Sequence, residues 1–63
     1  MIRELREKKG WSQIELARRS GVTQSAISDI ESAKTKNPRI DTMDAIARAL
    51  NVPIARLINK GTG

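Results

Sequence analysis

Four polar side chains between residues 24 and 29 carry groups that can hydrogen-bond to the edges of nucleic-acid bases. They are Gln24, Ser25, Ser28 and Asp29. If this segment is helical, Ile27 and Ile30 share its inner face at the i, i+3 spacing, and the four polar side chains remain on the outer face. The segment therefore combines an apolar anchor with a surface of hydrogen-bonding groups.

These four residues differ in how much they can specify. The amide of Gln24 can donate to N7 of adenine and accept from its N6 amino group, and an ordinary exposed glutamine is the weaker explanation. Ser25 and Ser28 offer one hydroxyl each, so a solvated face explains them nearly as well. Asp29 is ambiguous, because its carboxylate could accept from N4 of cytosine or could repel a phosphate.

The spacing of the preceding residues predicts the helices that would position this surface. Ala17 is small enough for a close helix crossing, and Gly21 tolerates the positive φ of a tight turn. Ser12 followed three residues later by Glu15 predicts a capping box at the start of one helix, and Thr23 predicts the N-cap of the next. The pattern predicts a helix-turn-helix over about residues 13–32.

The rest of the chain predicts three more helices and no strand. A first helix is expected over about residues 2–9, and the second helix of the pair over about 24–32. Asp41 is predicted to cap the fourth helix, and Pro53 to occupy the first position of the fifth. The expected fold is a compact all-α five-helix bundle that forms a single domain over residues 1–63.

The apolar residues at helical spacing predict the core of this bundle. The clearest stripe runs through the fourth helix at i, i+3, i+4 and i+7. Trp11 follows Gly10 at an apolar position, which favours packing over base stacking. The side chains predicted to face inward are those of Ile2, Leu5, Ile14, Leu16, Ala17, Ile27, Ile30, Met43, Ile46, Ala47 and Leu50.

Positive charge is concentrated outside the predicted helix-turn-helix. The chain carries a net charge of +5, yet residues 12–33 hold two basic and three acidic groups, whereas residues 34–39 hold three basic groups and no acid. A solvated basic surface is one explanation, but the position directly after the second helix of the pair favours phosphate binding. The candidates are Lys34, Lys36, Arg39 and, through its amide and backbone N–H, Asn37.

The composition excludes most catalytic and metal chemistry. The 63 residues include no cysteine and no histidine, which removes thiolate and histidine metal sites and nucleophile–histidine catalysis. We therefore expect neither an enzyme nor a cofactor. No apolar run approaches the ~20 residues that span a bilayer, and the first ten residues are highly charged, so a cytoplasmic location is expected.

The chain resembles the phage repressor and Cro-type helix-turn-helix DNA-binding domains over nearly its whole length. The resemblance is carried by LREKKGWSQIELARRSGVTQSAISDIE, then KTKNPRI, then ALNV before a short last helix. It implies a sequence-specific DNA-binding transcriptional regulator with the lambda-repressor-like fold, most often a repressor. It also implies that the third helix enters the major groove of operator DNA and that two copies bind as a dimer.

The resemblance also implies roles for individual residues. It places a base-reading glutamine at Gln24 and a backbone-contacting glutamine at Gln13, where the start of a helix suits a phosphate. It pairs Arg6 of the first helix with Glu31 at the end of the third. Its dimer surface corresponds here to Pro53, Ile54, Arg56 and Leu57, and the charge of Arg56 predicts a weak dimer that DNA reinforces.

This chain departs from the family after the third helix, where Ser32 and Ala33 stand in place of the usual glycine. A left-handed conformation at Ala33 would cost free energy, so a different loop entry is expected. A second departure is that serines and an aspartate replace the basic or amide residues often found on the recognition helix.

One alternative function remains from the sequence. The same fold serves in protein-interaction modules such as antitoxins and coactivators. The salt dependence of DNA affinity distinguishes the two functions, because each phosphate contact adds to the salt dependence of binding.

Overall fold

The structure, a computed structural model, describes residues 2–35 and 38–58. These residues form five α-helices, without a strand among them, which confirms the predicted all-α architecture. Helix α2 packs against both α3 and α4. Within the described part of the chain, no helix has the length and apolar character needed to cross a membrane. The helices are α1 (Ile2–Lys8), α2 (Gln13–Ser20), α3 (Gln24–Glu31), α4 (Ile40–Leu50) and α5 (Ala55–Ile58).

Side-chain caps fix the ends of the central helix pair as the sequence predicts. The hydroxyl of Ser12 accepts from the backbone N–H of Glu15, and the hydroxyl of Thr23 accepts from that of Ala26, each at 3.1 Å. Gly21 ends α2 at φ +79° and donates its N–H to the carbonyl of Ala17. The capping box is only half formed, because the Glu15 carboxylate accepts from two arginines of α2, Arg18 and Arg19.

The predicted starts of α4 and α5 are wrong. Arg39, with extended backbone, is the N-cap of α4, so Asp41 lies inside the first turn. Its carboxylate accepts a hydrogen bond from Arg39 at 3.3 Å. The positive end of the helix dipole also stabilises a negative charge in the first turn. Pro53 lies two residues before α5. Its carbonyl accepts from the N–H of Arg56 in a tight turn that leads into the helix.

The core lies where α2, α3 and α4 meet. Leu16, Ile27, Ile46 and Leu50 are fully buried, and the predicted stripe of α4 is buried throughout. The prediction that Ile14 faces the core is wrong, since 58% of it is exposed. Ile14 and Leu16 are two residues apart, which separates them by about 200° around a helix, so both cannot face inward.

The backbone after α3 adopts a left-handed turn, so the expectation of a different loop entry at Ala33 is wrong. Ala33 has φ +63°, its N–H donates to the carbonyl of Ile30, and the N–H of Lys34 donates to the carbonyl of Asp29 at 2.9 Å. These two bonds form a Schellman motif with Ala33 at the position usually taken by glycine. The helix end is therefore retained with a strained residue in place of the glycine.

Candidate nucleic-acid interface

The outer face of α3 is held toward solvent by the burial of its inner face. Ile27 is fully buried and Ile30 packs against the core, so the helix has one fixed orientation. Gln24 and Ser25 at its start are exposed, whereas Ser28 and Asp29 are half-buried. The surface that could contact bases is therefore widest in the first turn of α3.

Two clefts flank α3, and Ser28 and Asp29 lie in different ones. Ser28 lines the cleft on the α1 side, and Asp29 lines the one on the side of the basic loop. The two side chains diverge because consecutive residues of a helix are about 100° apart. The first cleft is lined by Arg3, Arg6, Gln13, Ser28, Glu31 and Ser32, and the second by Ala26, Asp29, Ile30, Thr35, Pro38, Arg39 and Thr42.

A bidentate ion pair joins the end of α3 to α1. Nε of Arg6 donates to Oε2 of Glu31 at 2.8 Å, and a terminal nitrogen donates to Oε1 at 3.1 Å. The two side chains are 10% and 5% exposed, and Arg6 also donates to the carbonyl of Trp11 at 2.8 Å. The pair joins the end of α3 to α1, between the two residues that the resemblance pairs.

The electrostatics of this pair favour the charged forms of both groups. Burial alone would raise the pKa of Glu31, but the hydrogen bonds from Arg6 and Gln13 and the charges of Arg6 and Arg3 together hold that pKa below its ordinary value. The hydrogen bond to Glu31 raises the pKa of Arg6 against the opposing effect of burial. Glu31 is therefore a carboxylate at neutral pH.

Gln13 connects this ion pair to Gln24. The amide nitrogen of Gln13 donates to Oε1 of Glu31 at 3.1 Å, and its amide oxygen accepts from the amide nitrogen of Gln24 at 3.4 Å. The side chain predicted to contact a phosphate thus also supports the side chain predicted to contact a base. Because the carboxylate accepts from the nitrogen of Gln13, the amide oxygen is the atom turned toward Gln24.

The structure places part of the predicted phosphate-binding loop. Lys34 is exposed next to the end of α3, and Arg39, 80% exposed, pairs with the exposed Asp41. The hydrogen bond from Arg39 is the main cause that lowers the pKa of Asp41. Lys36 and Asn37 lie outside the described residues.

The predicted dimer residues divide into two groups. Ile54 and Leu57 are half-buried and pack against the core, whereas Pro53 and Arg56 are exposed. The exposed part of this strip is therefore small and includes a charge.

Sequence reasoning missed Arg3, which lines the cleft on the α1 side of α3. The signal was available: Arg3 stands three residues before Arg6 and so shares a face of α1 with it. The concentration of positive charge in residues 34–39 favoured the loop residues over this isolated arginine.

Two helices joined at a left-handed glycine, the second with a polar outer face between charged flanks, define a helix-turn-helix of the kind that binds DNA. The model of the helix-turn-helix family matches residues 2–57, and the chain belongs to this family. This confirms the resemblance given above.

The similar proteins are named as regulators. The chain is 36% identical over 59 residues to the HTH-type transcriptional regulator SinR of Bacillus licheniformis, covering 94% of this chain and 53% of SinR. It is 34% identical over 58 residues to the HTH-type transcriptional regulator SutR of Escherichia coli K12, covering 92% and 32%. It is 28% identical over 61 residues to the immunity repressor protein of Bacillus phage phi105, covering 97% and 42%.

The chain thus spans about half the length or less of these curated relatives. No solved structure matches it at a significant level.

Proposed function

We propose that this chain is the DNA-binding domain of a sequence-specific transcriptional regulator, and that it acts as a repressor. The observation that carries the proposal is the exposed polar start of α3, which the buried Arg6–Glu31 pair fixes against the scaffold. A preorganised surface of this kind suits recognition of base edges in the major groove. The names of the relatives, two transcriptional regulators and a phage repressor, support the same function.

The proposed contacts divide between bases and phosphates. Gln24 reads adenine, and Ser25 adds a permissive contact beside it. Ser28 and Asp29 contact bases at the two edges of the helix. Gln13 binds a phosphate while it supports Gln24. The loop supplies the remaining phosphate contacts through Lys34, Lys36, Asn37 and Arg39.

We also propose that two copies bind half-sites about one helical turn (~34 Å) apart. The contact between copies uses the strip around α5, with Pro53, Ile54, Arg56 and Leu57. Because two of these side chains already pack against the core, little apolar surface remains for the partner copy. The dimer is therefore weak alone and reinforced by DNA.

A protein-interaction module is the second candidate and is not favoured. The positive loop and the polar outer face of α3 suit a polyanion better than an apolar protein surface. In addition, the relatives compared above carry names of regulators.

Selection of binding sites from random duplexes tests the proposal. We expect an enriched palindromic consensus with adenine at a fixed position in each half-site, and an affinity that falls steeply as salt rises. A failure to enrich any sequence, together with affinity that does not respond to salt, would refute the DNA-binding function.

A further inference from the structure

Among the described residues, none of the charged phosphate candidates of the proposed function lines the cleft between α1 and α3. Of the charged candidates in the described residues, Lys34 follows the end of α3 and Arg39 lines the cleft on the other flank of that helix. On the α1 side the only proposed phosphate contact is the neutral Gln13. The cleft itself contains a further cation, Arg3.

The geometry of DNA requires a phosphate contact on both flanks of α3, not only on the flank of the basic loop. A helix with its side chains is about 10–12 Å across, and the major groove is about 12 Å wide. A recognition helix therefore fills the groove, and one phosphate backbone passes along each of its flanks. Both flanks of α3 must accommodate a row of negative charges.

The net charge of the cleft is that of Arg3. Arg6 and Glu31 are buried and neutralise each other through their bidentate pair. Arg3 is 68% exposed, and its field reaches into the cleft, since it is among the causes that lower the pKa of Glu31. The cleft therefore presents one exposed positive charge, and Ser28 and Ser32 line it too. The hydroxyl of Ser32 donates to the carbonyl of Asp29 at 3.4 Å, a long hydrogen bond that a phosphate oxygen can replace.

The present partner of Arg3 does not prevent it from binding a phosphate. Its Nε lies 3.4 Å from Oε2 of Glu7, one turn further along α1, and Glu7 is 57% exposed. Ion pairs at such exposure contribute little, because water solvates both groups and the side chains remain mobile. A phosphate can replace Glu7 at small cost.

We propose that Arg3, together with the hydroxyl of Ser32, binds a DNA phosphate on the α1 flank of α3, opposite the basic loop. The site takes a backbone phosphate of duplex DNA and carries no sequence information of its own. It rests on the proposed function, which it extends from one flank of the recognition helix to both.

The first test compares Arg3→Gln with Arg48→Gln. Arg48 is a matched control: it is an exposed arginine, paired with Asp44 one turn away, and it lines neither cleft. On a duplex with the selected consensus, Arg3→Gln is expected to reduce the slope of log affinity against log salt by about one, and the affinity at 0.1 M salt by about eightfold. Arg48→Gln is expected to change neither quantity by a comparable amount.

The second test removes the competing carboxylates. Glu7→Gln frees Arg3, and Asp44→Asn frees Arg48, while each raises the net charge by one. Glu7→Gln is expected to increase the affinity more than Asp44→Asn does. Arg3→Lys, which keeps the charge, is expected to retain most of the slope.

The outcomes separate this inference from the proposed function. If the wild type shows no salt-dependent binding, both fall together. If the wild type binds and Lys34→Gln lowers the slope, but Arg3→Gln leaves it unchanged or matches Arg48→Gln, the Arg3 site alone is refuted. Circular dichroism of each variant checks that it retains the helical content of the wild type.

Discussion

Gln24 illustrates how a residue on the protein surface can be preorganised. Its amide nitrogen lies 3.4 Å from the oxygen of Gln13, whose nitrogen in turn donates to the buried carboxylate of Glu31. Each amide is therefore oriented by a group that is more firmly held than itself. The ordering of a side chain before binding reduces the entropy that must be lost when the complex forms.

Gln24→Ala should relax the preference for adenine at one position of each half-site. Loss of the bidentate contact removes about 1–3 kcal/mol of discrimination against the wrong base. Competition binding with the four single-base variants of the consensus measures this directly. Ser25→Ala is the comparison: because its proposed contact is permissive, it should change the base preference less than Gln24→Ala does. Equal weakening of Gln24→Ala on all four duplexes would argue against base reading.

Glu31 gives the stability of the domain a pH dependence with a definite sign. Its pKa is lowered in the folded state from the ordinary 4.5. The stabilisation is therefore complete above the ordinary pKa and is lost as the pH falls through the lower, folded value. We expect Glu31→Gln to cost about 3 kcal/mol at pH 7, because it leaves Arg6 buried without a counter-charge.

The difference in stability between Glu31→Gln and the wild type should shrink as the pH falls from the ordinary pKa of 4.5 through the lower pKa of the folded state, because the wild-type carboxylate then becomes neutral too. Urea unfolding at several pH values measures it. Glu7→Gln is the exposed control and should cost less than about 1 kcal/mol at pH 7. A constant difference from pH 7 downward would mean that the charge of Glu31 does not stabilise the fold.

At the scale of helices, the sequence predicts the middle turns of each helix better than its first and last residues. The α2–α3 pair is recognisable because caps, a left-handed glycine and a 3.6-residue apolar period all agree. The starts of α4 and α5 are harder, because Arg39 and Pro53 act through backbone conformation and form no side-chain cap that a pattern could reveal. Ile14 shows that an apolar residue near a predicted core face can still point to solvent.

The candidate site shows the same division. Gln24, Ser25 and the Arg6–Glu31 pair follow from periodicity or from the family resemblance. Helical spacing predicts that Ser28 and Asp29 diverge and that Arg3 shares a face of α1 with Arg6. The clefts that these residues line depend on how α1 and the loop pack beside α3. Spacing within one helix cannot predict such contacts between elements.

Ala33→Gly should stabilise the domain by about 1 kcal/mol. The left-handed backbone at this position, φ +63°, is strained for alanine and free of that strain for glycine. Ser32→Gly is the control: its φ of −92° suits any residue. Glycine there adds freedom to the unfolded chain and removes the hydrogen bond from the Ser32 hydroxyl to the carbonyl of Asp29, so it should destabilise. Urea unfolding would contradict this account if both variants shifted the midpoint in the same direction.

At the scale of the whole molecule, the proposed function divides affinity and specificity for DNA between different parts of the chain. The chain has a net charge of +5, and all of its excess positive charge lies outside the helix pair, which is slightly acidic. Non-specific attraction to DNA should therefore depend on the flanking groups, while α3 determines which sequence is held. The same separation lets the recognition surface change without loss of general affinity.

Arg56→Leu should strengthen self-association, because it removes the charge from the strip around α5 and adds apolar surface. Sedimentation at increasing protein concentration measures the effect. Arg48→Leu adds the same apolar surface on α4 and should leave the protein as monomeric as before. If both variants associated equally, the contact would be non-specific rather than located at α5.

Trp11 makes the protein its own optical probe. It is the only aromatic residue of the chain, and the guanidinium of Arg19 and the ammonium of Lys9 lie 4.4 Å and 5.4 Å from its ring centre. Its carbonyl also accepts from Arg6. Indole fluorescence therefore originates from a single junction between α1 and α2, and it senses both unfolding and any disturbance of the ion pair. The unfolding of the variants proposed above can be followed by this emission, without a label attached to the chain.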